Sequence, residues 1–538
     1  MKNVFKTFAV ASTIALSASL AWAAGTHPIT GEALADDQTF TYRVLDEASS
    51  YDPQLLEDVD SSKIARDLFE GLYNQDSQGN LIPGVALSHT ISDDKTVYTF
   101  KLRDNAKWSD GKPVTANDFV YAWRRLADPA TASAYQWYIN VMGVKNNGPV
   151  TDGSLPPSEL GVAALDDHTL QVTLEKPLPY FPLTTVHTSA FPTPQWAIEA
   201  HGNEWTRPGN IVANGAYIMT EYVANERSVR ERNPMYWNND NTIMEKVTAL
   251  VINDENVALT RYMAGELDQT DIPSGQFNRL QQSNPDETVV VPELCTYYYT
   301  INLTDTGNPA MQDVRVRQAL SYAIDRDIIT KNILQAGQKP AYAFTPEATA
   351  GFTPPASPMA SMTQAERDAK AKELMAAAGV DGFDLELMYN TSESHKKIAI
   401  AISQMWKQKL GVNVTLSNLE WKTYLDARGS QNYQVARAGW CGDYNEASTF
   451  LDLVGSESGY NDAKYNNPKV DELLAQAKVS ADTQPIYTEI EQILATDTPI
   501  IPIYQYTANF LMKTNVKGWP YDNVEQNNYS RDLYKVAE

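Results

Sequence analysis

Between Val435 and Glu446 the chain runs Val-Ala-Arg-Ala-Gly-Trp-Cys-Gly-Asp-Tyr-Asn-Glu, an apolar strand-like segment leading straight into a tryptophan, a cysteine and an aspartate. Arg437, Trp440, Cys441 and Asp443 together offer a cation, a large flat ring, a residue that can be covalently pinned, and an anion. Such a set suits a rigid site for a small ligand carrying positive charge: the carboxylate supplies a charge-assisted hydrogen bond and the ring walls a pocket. Each residue also has an ordinary role open to it. Trp421 and Trp440 can be core aromatics, Asp443 a cap or turn residue, and Arg428 and Arg437 surface cations or partners of nearby acids. Arg437 lies inside an apolar strand, so burial would oblige it to find a polar partner.

The elements that must position these residues read as an alternating unit. Phe383 to Tyr389 has strand character, and Ser394 to Leu410 is an amphipathic helix stopped by Gly411 at its C-terminus. Val412 to Leu416 is a second strand, Trp421 to Arg428 a short helix, and Tyr433 to Gly439 a third strand. Upstream, Thr363-x-x-Glu366 forms a capping box for a helix ending at Gly379. Strands alternating with helices predict a largely parallel sheet. Ligands bind such sheets beyond the carboxyl ends of the strands, which here means Asn390 to His395, Glu420 and Trp421, and Trp440 to Asp443. Elsewhere, Val97 to Leu102 and Leu170 to Leu174 alternate as half-buried strands do, with a helical pattern at Asp118 to Arg125. The pieces before about Glu70 and after about Ala508 read as β-rich.

The N-terminus sets the compartment. Lys2 and Lys6, the apolar run Phe8 to Leu20 and Ala21-Trp22-Ala23 form an export leader cleaved before Ala24. No cysteine lies near the cleavage site, so the lipoprotein route is closed, and the expected home is the periplasm. Two cysteines remain, Cys295 and Cys441. One pairing is open to them, and an oxidising space favours a disulfide over two free thiols. It would close a loop of about 145 residues, for which loop entropy assigns roughly 4–5 kcal/mol. No C-x-x-C pair or histidine spacing suits a metal, and no cofactor is expected. Removing the leader takes the formal charge from −24 to −26, which argues against nucleic acid and anionic membrane surfaces as partners. Catalytic patterns are missing too: Gly455-Ser-Glu-Ser-Gly459 puts Glu457 where a nucleophile would stand, and there is no H-E-x-x-H, G-x-G-x-x-G or phosphate loop.

With Trp440-Cys-Gly-Asp-Tyr-Asn445 at the mouth of an α/β lobe, the chain resembles the peptide-binding branch of the family 5 extracellular solute-binding proteins of bacterial ABC importers. Asp67-Leu-Phe-Glu-Gly71, Ala106-Lys-Trp-Ser-Asp-Gly111, Asn214-Gly-Ala-Tyr217, Leu294-Cys-Thr-Tyr-Tyr-Tyr299, Asp313-Val-Arg-Val-Arg317 and Tyr389-Asn-Thr-Ser392 carry the likeness over almost the whole mature chain. The resemblance implies an α/β, two-lobed periplasmic binding protein of type II-like build, with mixed sheets flanked by helices and an additional third domain. It divides the chain into a leader (1-23), a discontinuous domain I (24-69, 195-294 and 508-538), an extra domain II (70-194) and domain III (295-507). It implies a Cys295–Cys441 disulfide and places the anchor of a peptide α-ammonium on Asp443. Pocket lining falls on Tyr135, Trp421, Trp440 and Tyr506, with Glu57 and Val59 on the opposite lobe. Cations for the peptide carboxylate fall on Arg428, Arg437 and His395, according to ligand length. A further family lysine falls on Leu334, with Lys331 one turn away, a departure that bears on longer peptides. The implied function is capture of short peptides by a monomeric receptor that hinges shut and delivers them to membrane ABC permease subunits. A murein-peptide receptor of the same fold and, less favoured, a periplasmic peptide hydrolase are the alternatives.

Overall fold

The computed structural model describes residues 25–537, so the expected leader lies outside the described residues. The alternating unit around the opening motif forms much as its periodicity predicts. Asp384–Asn390 pairs in parallel with Asn413–Leu419 and with Val435–Cys441. The helix Glu393–Leu410 covers this sheet. Ser392 caps its start by accepting from the His395 backbone N–H, and Gly411 ends it at φ +71°, a left-handed turn that a glycine adopts without strain. Ile398, Ile402 and Trp406 recur on its inner face and are fully buried, each burial stabilising by about 1.5–3 kcal/mol. The Thr363/Glu366 capping box is present, and that helix closes at Gly379.

The third strand runs two residues later than its pattern predicts. Trp440 and Cys441 therefore belong to the strand, and Asp443 stands just beyond it. Pairing across to Thr288–Ile301 extends the ladder: Cys295 is the register partner of Cys441, and Thr296 of Trp440. The cysteines form a disulfide between these facing positions, 146 residues apart in sequence. Glu293 lies beside them, but both sulfurs are used by the bridge, leaving no thiolate for a metal.

These strands belong to an eleven-stranded mixed sheet running Asn413–Leu419, Asp384–Asn390, Val435–Cys441, Thr288–Ile301, Ile500–Met512, Gln269–Asp271, Thr39–Val44, Lys246–Val251, Arg227–Arg232 and Tyr217–Val223, with Lys339–Pro340 added to Ile500–Met512. The parallel pairing predicted for the alternating unit is local; the two long central strands pair antiparallel with each other, and the first of them, Thr288–Ile301, also pairs antiparallel with Val435–Cys441. The pairing of the two long strands falls into two stretches. Thr288 to Pro292 pairs with Thr507 to Leu511 on one side, and Thr296 to Thr300 with Ile500 to Gln505 on the other. The register breaks between them at Pro292, which has no N–H to give a ladder.

A separate antiparallel sheet orders Ala86–Ile91, Val97–Leu102, Thr169–Thr173 and Val162–Asp166. The helix Ala116–Ala127 packs on it through Phe119, Val120, Trp123 and Leu126. The terminal segments are less β-rich than their composition suggests. Residues before Glu70 supply one strand, Thr39–Val44, and a helix, Val59–Leu68. After Ala508 only the end of a long strand and the short pairs Val516–Lys517 and Tyr534–Lys535 appear. Polar pairing takes over there: Asp67 meets the buried Arg230 at 3.0 Å and accepts from Ser530, which anchors the helix carrying Val59. Among the described residues no helix is long and apolar enough to cross a membrane.

Candidate functional site

Asp443 leaves the sheet at the end of Val435–Cys441, its backbone N–H held by the Thr449 hydroxyl at 2.9 Å. The carboxylate is only 7% exposed and forms no contact with Lys or Arg among the described residues. Its neighbours come from far earlier in the chain: the Tyr135 hydroxyl at 3.4 Å and His187 Nε2 at 3.5 Å, both from Oδ1. Burial pushes the carboxyl well above the usual carboxylate range, while Tyr135 and the more distant Arg66 pull it back. A buried anion with so little compensation is matched to an incoming cation.

An aromatic cage surrounds this position. Trp440 lies between Tyr135 (ring centroids 6.4 Å), Trp137 (6.3 Å) and Tyr460 (5.4 Å). Glu57, from the segment before the helix Val59–Leu68, accepts from the Tyr460 hydroxyl at 3.0 Å, and burial raises its carboxyl. Val59 stands 47% exposed as the first residue of that helix. The cage closes tightly at Gly459, where an added Cβ would come within 2.8 Å of the Trp137 ring.

Successive strand residues face opposite sides of a sheet, so Arg437 departs from the face opposite to Trp440. Its guanidinium donates to Tyr506 OH at 2.7 Å and Asn390 Oδ1 at 3.3 Å, and lies 5.0 Å from the Tyr297 ring centroid. Its Nε has no partner, and it forms no ion pair among the described residues. Gly439 makes room: a Cβ there would stand 3.1 Å from both the Arg437 guanidinium and the Tyr506 hydroxyl. Arg437 and Asp443 are thus opposite, unpaired buried charges on one extended segment, at most about 20 Å apart at ~3.3 Å per residue.

The other expected cations differ. Arg428 is ion-paired with the buried Asp462 at 2.9 Å, so its charge is already matched. His395 is held well below its usual range by burial and by Arg437, so it is a neutral imidazole with an unpartnered Nδ1 rather than a cation. Trp421 stacks on Tyr424 at 5.7 Å, and Tyr424 in turn lies under Arg428. Lys331 points outward, 71% exposed and paired with Asp327, while Leu334 is buried.

His187, Tyr460, Trp137 and Gly439 were not singled out from sequence. Gly439, two residues after Arg437 on the same strand face, was the one with a readable signal. Trp137 and His187 lie far earlier in the chain, and Tyr460 comes from the loop after the strand; all three reach the site only through tertiary contact.

The model of the bacterial extracellular solute-binding proteins, family 5, matches residues 80–462. The periplasmic oligopeptide-binding protein OppA of Salmonella typhimurium is 45% identical over all of both chains. The solved structure of the Escherichia coli murein tripeptide binding protein MppA superposes with a TM-score of 0.91 at 46% identity, covering 94% of this chain and all of that one. A second MppA structure, the unliganded open form, reaches only 0.68 at 45% identity, over 95% of this chain and 99% of that one. The chain belongs to family 5 of the bacterial extracellular solute-binding proteins.

Proposed function

We propose that this protein is a periplasmic receptor that closes its lobes on a short peptide and hands it to the membrane subunits of an ABC importer. The single observation that carries the reading is the pair of buried charges without partners, Asp443 and Arg437, on one extended segment. A peptide of any sequence offers an ammonium at one end, a carboxylate at the other and a repeating backbone between. Asp443 takes the first in a charge-assisted hydrogen bond and Arg437 the second in a bidentate one, while strand edges pair with the backbone. Trp440, Tyr135, Tyr506, Trp421, Glu57 and Val59 wall the side-chain pockets. Arg428 and His395 act as polar lining: one is neutralised by Asp462, the other uncharged. The division into domains at 24-69, 195-294 and 508-538, at 70-194 and at 295-507 goes with this reading, its lobe boundary falling at the register break by Pro292. So does a cleaved, unlipidated leader and a monomeric state.

Hydrolysis is disfavoured by the Ser189–His187–Asp443 arrangement, which imitates a triad only in outline. Ser189 Oγ lies 2.8 Å from His187 Nδ1 and Asp443 lies on the far nitrogen. Ser189 is completely buried, however, and its own backbone N–H donates to that Nδ1, so its hydroxyl cannot meet a substrate. A murein peptide is the second reading, favoured by the likeness to MppA; its γ-linkage keeps a free ammonium and adds a carboxylate. Mass spectrometry of ligand released by denaturing the purified protein separates the two. Calorimetry on stripped protein tests the common part. A free tripeptide is expected to bind more tightly than its N-acetylated and C-amidated forms, and equal binding of all three would refute the assignment.

A further inference from the structure

This inference rests on Asp443 holding the ligand's ammonium and concerns what holds Asp443. His187 precedes the short turn Thr188–Ala190, and its Nδ1 accepts from the Ser189 backbone N–H at 3.3 Å. A backbone N–H can only donate, and the Ser189 hydroxyl, 2.8 Å from the same Nδ1, is free to donate as well; with Nδ1 as the acceptor of both, a neutral ring carries its proton on Nε2. Burial, assisted by Arg66, keeps the ring neutral, with its pKa down at about 3. The Nε2–H therefore faces Asp443 Oδ1 at 3.5 Å, beside the Tyr135 hydroxyl at 3.4 Å. The two rings stack at 4.8 Å, and Tyr138 packs on the imidazole at 4.7 Å. Both donors address one oxygen, so Oδ2 remains for a ligand.

On the proposed division the donors belong to 70-194 and the acceptor to 295-507, so the contact forms only when those two parts meet. We infer that His187 is a positioning residue: on closure its Nε2–H fixes Oδ1 of Asp443, so that the ammonium anchor is completed by the opposite lobe. Neutral donors suit this task. They support the carboxylate as water leaves but do not cancel its charge, as a contacting lysine or arginine would. The remaining charged groups facing Asp443 are Arg66, which favours its ionisation, and Glu525, which opposes it.

Two substitutions separate this role from that of capping the turn. His187→Asn keeps an acceptor for the Ser189 N–H but loses the distal donor, whereas His187→Gln keeps a donor near the Nε2 position and loses the cap. His187→Asn is expected to weaken binding of a free-amino tripeptide about 2- to 12-fold, the worth of one hydrogen bond. It should also move the acid-side loss of binding to higher pH and leave the N-acetylated tripeptide unaffected. His187→Gln should stay near wild type in affinity and pH profile. The inference is overturned if Gln loses as much as Asn with an unchanged pH profile, or if Asn binds like wild type. Independently of any variant's folding, 15N spectra of the wild-type histidines should show His187 as the Nε2–H tautomer in the peptide complex; an Nδ1–H tautomer overturns it. A wild type that binds no free-amino peptide would instead overturn the peptide reading, and this inference with it.

Discussion

Replacing Asp443 with asparagine removes one charge while keeping the shape of the side chain and an acceptor for Tyr135 and His187. In the closed form this carboxylate is 7% exposed and has no contacting Lys or Arg to redistribute to. A ligand ammonium would then be buried without a counter-charge. Truncating one member of a buried, hydrogen-bonded charge pair costs about 2–5 kcal/mol, which is roughly a 30- to 5,000-fold rise in Kd. The low end applies if Glu57 and Glu525 supply field at a distance, the high end if water stays excluded. Calorimetry on protein stripped of endogenous ligand gives the value, and a double-mutant cycle isolates the pair: wild type against Asp443→Asn, free amine against N-acetyl. Acetylation should be costly for wild type and cost the variant less than about threefold, because the charge it removes no longer has a partner. If Asp443→Asn binds the free tripeptide within about threefold of wild type, or wild type is indifferent to acetylation, the anchor lies elsewhere.

Three further outcomes follow from the geometry. Arg428→Met strands the buried Asp462 and should destabilise the ligand-free protein by about 3–5 kcal/mol; adding Asp462→Asn should recover most of that in denaturant titrations, and no recovery would mean the pair does not act as a unit. Replacing both Cys295 and Cys441 with serine should cost about 2–5 kcal/mol of stability under oxidising conditions, seen as a lower calorimetric Tm, and an unchanged Tm would contradict the bridge. Glu293, enclosed beside the bridge, has its carboxyl raised by burial and by Asp271 to about 7, against the opposing pull of Lys63. The folded state therefore prefers its protonated form, a stabilisation present below the ordinary carboxylate range and lost as pH rises through about 7. Glu293→Gln should raise Tm at pH 8.5 and leave it unchanged at pH 4.5; the opposite ordering would refute the sign.

The parts legible in the sequence were those governed by near neighbours. The helix Glu393–Leu410 and its glycine stop, the capping box at Thr363, and the strand–helix alternation that put Asp443 past a strand end all follow from local periodicity and caps. The third strand was misplaced by two residues because its end is set by cross-strand pairing of Cys441 with Cys295, a partner 146 residues away. The terminal segments were read as β-rich because their apolar content is used in irregular packing and buried polar pairs, which carry no period. Arg428 and Arg437 show the limit most directly. They are the same residue type, nine positions apart, and both are buried. What separates them is Asp462, which folds against one and not the other. Likewise the sequence by itself determined that a tryptophan, a cysteine and an aspartate stand at a ligand-facing sheet edge. Only the tertiary structure decided which charges are left unpaired and that Tyr135 and His187, far earlier in the chain, meet Asp443. The physical reason is that charge compensation in a dry cleft depends on distance in space, and nothing in the spacing of residues along the chain reports it.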